Sequence, residues 1–80
     1  MLNRICIMPQ QGCKGLSNAR IKSAFKNVFD QTPVMIRTEG RNIIVHTSLP
    51  LKDKKVLRFA KQLGNCYDFQ GKNDSYSFKL

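Results

Sequence analysis

Three cysteines and one histidine are the side chains of this sequence best suited to metal or nucleophilic chemistry, and their spacing keeps them apart. Cys6, Cys13 and Cys66 include no Cys-x-x-Cys pair of the kind found in zinc knuckles and redox sites. A structural zinc takes about four N or S ligands, so all three thiols and His46 would have to converge. The expectation is instead three reduced thiols in a reducing compartment, with no metal and no cofactor. Cys13 is distinctive because it stands in a Gly-rich loop beside Lys14, where a cation and a helix N-terminus would lower its thiol pKa. No base or partner thiol accompanies it.

The remaining requirements of catalysis are also unmet. A nucleophile needs a base, and His46 has no partner in the sequence. Asp30, Glu39, Asp53, Asp68 and Asp74 fall at predicted element ends and turns, as solvated carboxylates do. The loop from Pro9 to Gly15 runs from a strand into a helix N-terminus, and its free backbone N–H groups could hold a phosphate. Its Gly12-Cys13-Lys14-Gly15 core lacks the Gly-x-x-x-x-Gly-Lys-Ser/Thr spacing of a nucleotide-hydrolysing loop. A non-enzymatic protein is expected.

Charge is the stronger signal. The 80 residues hold 14 Lys and Arg against 5 Asp and Glu, a net charge of +9. Lys52, Lys54, Lys55, Arg58 and Lys61 crowd one helical segment whose only acid is Asp53. A helix that is merely soluble mixes Glu with Lys at i,i+4 spacing. Here Lys54, Arg58 and Lys61 stack without such a partner, and a phosphate backbone would relieve their repulsion while releasing counterions. Lys14, Lys22, Lys26 and Arg37 form a second basic group.

The elements that must carry these residues follow from periodicity. Residues 2–8 alternate as a strand ended by Pro9. Ser17 is placed to cap a helix, with Leu16 and Ile21 forming a hydrophobic staple across its start. Ile21, Ala24, Phe25, Val28 and Phe29 make its buried stripe. Two strands then flank a Glu39-Gly40 turn, which pairs Ile36 with Ile43 and Val34 with Val45. A second helix runs from about Lys52 to Leu63, buries Val56, Phe59, Ala60 and Leu63, and stops at Gly64 in a left-handed cap. A final hairpin turns at Gly71–Asp74, with Tyr67, Phe69, Tyr76, Phe78 and Leu80 pointing inward.

These elements predict a single α+β domain over residues 1–80, in the order β-α-β-β-α-β-β. Two helices on one face of an antiparallel sheet would bury every stripe in a two-layer sandwich. The first six elements match the split βαβ, ferredoxin-like arrangement. The seven-element order resembles the two-layer fold of small translation initiation factors of the Sui-one type, which implies contact with RNA. Apolar runs of only a few residues and the lack of a secretory leader pattern point to a cytoplasmic protein that does not enter membranes.

Two functions fit. The first is a small basic module that binds a phosphate backbone, in RNA or a ribonucleoprotein, through the two basic groups. The second is a protein-interaction module, such as a phage- or plasmid-borne inhibitor of the anti-CRISPR kind, that occupies an acidic patch or the nucleic-acid path of its target. For the second, the sheet face away from the helices, with Met35, Ile44 and His46, would meet the partner or pair two copies into a homodimer. RNA-recognition modules stack bases on aromatic residues of that face, and the strands here place none there.

Overall fold

The computed structural model describes residues 2–10 and 16–80. Five strands and two helices follow in the order β1 (Asn3–Met8), α1 (Asn18–Phe29), β2 (Met35–Glu39), β3 (Asn42–Thr47), α2 (Asp53–Leu63), β4 (Tyr67–Lys72) and β5 (Ser75–Lys79). The strands form one sheet in the order β2-β3-β1-β5-β4. Both helices pack on the same face. The α+β two-layer architecture is therefore as the periodicity predicts, but the sheet is mixed rather than antiparallel. β1 pairs antiparallel with β3 and parallel with β5.

That parallel pair departs from the all-antiparallel ferredoxin-like sheet, and the two strands of the last hairpin explain it. β5 carries Tyr76 and Phe78, both buried, and leads into buried Leu80. β4 holds Asp68, Gln70 and Lys72, which are exposed. An apolar-alternating strand belongs in the middle of a sheet and a polar one at its edge. The second strand of the hairpin therefore docks on β1, and the first is left outside.

Three local expectations change. The β2–β3 turn is Gly40-Arg41, with Glu39 paired to Asn42, Thr38 to Ile43 and Ile36 to Val45. Gly40 has φ +64 and Arg41 has no positive φ, which places Gly first in the two-residue loop as a II′-type turn requires. The shift preserves the faces but leaves Val34 beyond β2 and 59% exposed. In β4 the register slips between Tyr67 and Gln70, with Asp68 at φ 52. This bulge turns Tyr67 out, so it opposes Lys79 instead of joining Phe69 against the core. Gly64 has φ 162, an extended rather than left-handed cap, because the chain passes almost directly into β4. The left-handed cap occurs instead at Asp30, which closes α1 with φ 65.

The core between the layers is built from Ile5, Ile7, Ile43, Val45, Tyr76 and Phe78 below and the two helical stripes above. Ser17 caps α1 as predicted, its Oγ accepting from the Arg20 N–H at 3.2 Å. Phe59 centres the layer, lying edge-on to Phe25 at 5.7 Å and to Phe78 at 6.3 Å. Full burial of such a ring contributes about 1.5–3 kcal/mol. Gly71 is favoured for a different reason: a Cβ there would run into the Tyr76 ring, which covers the glycine across the β4–β5 pair.

Candidate nucleic-acid interface

Helix α2 is held firmly enough to present its outer side as a fixed surface. Val56, Phe59, Ala60 and Leu63 anchor it to the core. The connection that delivers it is tied down by Asn3 Nδ2, which donates to the Leu49 carbonyl at 2.7 Å, and by the Leu49 N–H, which donates to Thr47 Oγ1 at 3.1 Å. At its first turn the Tyr76 hydroxyl donates to Asp53 Oδ1 at 2.5 Å. That hydrogen bond to a carboxylate, with burial behind it, pushes the Tyr76 phenol up to about 12. At the far end Arg20 of α1 donates to the Leu63 carbonyl at 2.9 Å, satisfying one of the free carbonyls of the helix terminus.

The side of α2 opposite those anchors is a row of cations. Lys54, Arg58 and Lys61 are all exposed and at about 100° per residue fall within about 60° of one another. Neither of the ion pairs formed among the described residues involves them. Lys52 stands at the N-cap, exposed, without a capping side-chain bond. Lys55 turns toward α1 and places its Nζ 5.9 Å from the centre of the Phe29 ring. Four of the five predicted contact residues thus lie on α2 and Lys52 caps it, with Lys54, Arg58 and Lys61 forming the outward ridge.

The second predicted group is divided. Lys22 and Lys26 are exposed on α1, while Lys14 lies outside the described residues, as do Cys13 and most of its loop. Arg37 is on the opposite side of the molecule, on the open face of the sheet. Its Nε donates to His46 Nε2 at 3.0 Å and its Nη1 meets Glu39 Oε2 at 3.1 Å. It is committed locally and does not extend the helical surface.

Charge is consequently unequal between the layers. The helix layer, with the Lys52 cap, holds Arg20, Lys22, Lys26, Lys52, Lys54, Lys55, Arg58 and Lys61 against Asp30 and Asp53. Asp53 is bonded to Tyr76. The strands and their turns hold Arg4, Arg37, Arg41, Lys72 and Lys79 against Glu39, Asp68 and Asp74, with two of those acids in ion pairs. Composition alone does not show this imbalance. It appears once the helices are folded onto a common side.

The open face is shaped differently from the sequence expectation. His46 is opposed by Met35 on one side and Arg4 on the other, and Ile44 by Arg37 and Cys6. Ile44 is only 5% exposed, so this predicted docking residue is covered. Arg37, opposite it, reaches on to His46 two residues along β3. Met35 is 46% exposed, as is Leu2. His46 is half-buried, and burial, then the charges of Arg37 and Arg4, hold its pKa below the usual 6.5. Burial also pushes the Cys6 and Cys66 thiols up. Among the described residues no three His, Cys, Asp or Glu side chains gather into a metal-binding group, and no helix is long and apolar enough to cross a membrane.

Comparison with protein-family models, with curated proteins and with solved structures finds no match.

Proposed function

We propose that this protein binds a nucleic-acid phosphate backbone through the outer face of α2, with RNA or a ribonucleoprotein favoured over a specific DNA operator, and that it does so without catalysis. The observation that carries this reading is the unpaired ridge of Lys54, Arg58 and Lys61 on the more basic of the two layers. The start of α2 supports it. A helix macrodipole is positive at its N-terminus and favours acids there, yet Lys52, Lys54 and Lys55 surround a single Asp53. That arrangement weakens the isolated helix and suits a surface completed by an anion. Free thiols at Cys6 and Cys66 fit a cytoplasmic site of action.

Phosphate contacts supply affinity and position, and sequence discrimination would need base-edge contacts. Binding to a generic oligonucleotide should fall steeply between about 50 and 200 mM salt. The variant K54E/R58E/K61E should keep the wild-type circular-dichroism spectrum and lose binding. Binding that survives both high salt and charge reversal is the result that ends this reading.

A second reading is favoured by one observation, the exposure of Leu2, Val34 and Met35. It is a protein-interaction module, such as a phage- or plasmid-borne inhibitor, that docks on an acidic patch or the nucleic-acid path of a target. Salt-tolerant association that depends on Met35 and ignores the α2 reversal would select it.

A further inference from the structure

Resting on the proposed phosphate-binding reading, we infer that the ligand of the helix layer is a double strand, held by one cationic row on each of two phosphate backbones. Two observations carry this. The first is the placement of the cations. The seam between the antiparallel helices is marked by Asn27 Nδ2, which donates to Gln62 Oε1 at 3.5 Å. Lys22 and Lys26 lie about 100–140° around α1 from Asn27, on the flank away from α2, whereas Lys54, Arg58 and Lys61 face outward from α2. The helices therefore carry two rows rather than one strip. With axes about 8–10 Å apart and side chains reaching outward, the rows stand on the order of 15 Å apart. That is the scale of a B-form groove about 6–12 Å wide together with the phosphates on its rims.

The second observation is what the surface lacks. Proteins that hold single strands add aromatic platforms on which bases stack. In this chain Phe25, Phe29, Phe59, Phe78 and Tyr76 are buried and Phe69 is half-buried against the core. The exposed ring, Tyr67, sits on β4 opposite Lys79, on the open sheet face. The helix layer has cations for two backbones and no ring for a base. A duplex keeps its bases stacked internally and asks for cations alone.

Three probes test this with the full chain: a blunt RNA duplex, the DNA duplex of the same sequence, and an unstructured polypyrimidine single strand. Fluorescence anisotropy should show tighter binding to a duplex than to the single strand. K22E/K26E should weaken duplex binding about tenfold and flatten its salt slope by about 2, while single-strand binding changes little. Preference for the RNA or for the DNA duplex supports the inference equally and tells which helix form is the ligand. Single-strand binding as tight as duplex binding, or equal loss of both in K22E/K26E, overturns the inference and leaves the phosphate-binding reading standing. No binding to any probe overturns both.

Discussion

His46 sits between Arg4 and Arg37 on the open face, and its Nε2 accepts the Arg37 Nε–H at 3.0 Å. An imidazole that accepts at Nε2 is neutral, with its proton on Nδ1. Burial and the two guanidinium charges hold its pKa below 6.5, so folding opposes protonation. The stabilising contribution is present above pH 6.5 and is lost as pH falls through the lowered folded value. An NMR titration of the His46 ring should give a midpoint below 6.5, and Arg37→Ala should move it upward. A midpoint at or above 6.5 would contradict this combination of burial and guanidinium charge around His46. From sequence, His46 was legible as an open-face residue. Its arginine neighbours were not, because Arg4 and Arg37 reach it only through the pairing of β1 and β2 with β3.

At the scale of elements, periodicity located all seven segments and the Ser17 cap, because those features depend on neighbours within a few residues. The order of β4 and β5 in the sheet was not legible as a pairing, although the signal lay in the contrast between polar Asp68, Gln70, Lys72 and apolar Tyr76, Phe78. The two-residue period alone points Tyr67 inward, and the bulge at Asp68 breaks that period and turns it out. The N-cap of helix α2, Lys52, makes no side-chain capping bond. Lys52→Asp should supply one and suit the helix dipole, raising stability by about 0.5–2 kcal/mol, while weakening oligonucleotide binding. Chemical denaturation and anisotropy on the same variant separate these effects. If the change leaves binding intact, the N-terminal turn of α2 is not part of the interface.

For the whole molecule, the net charge of +9 takes on meaning from the two layers. The helices use their inner stripes to close the core, and their outer sides carry cations that the fold does not need. The sequence indicated the α2 ridge, since i, i+4, i+7 spacing is local. It joined Arg37 to the same cause, although the sheet puts that residue on the opposite face, tied to Glu39 and His46. On the proposed function the helix layer, not the open sheet face, meets the nucleic acid. Backbone amide chemical-shift mapping during titration with an RNA duplex distinguishes the two faces. Shifts are expected at residues 52–61 and around Lys22 and Lys26, with β1 and β2 unmoved. Shifts concentrated at Arg4, Met35, Arg37 and His46, with α2 silent, would contradict it.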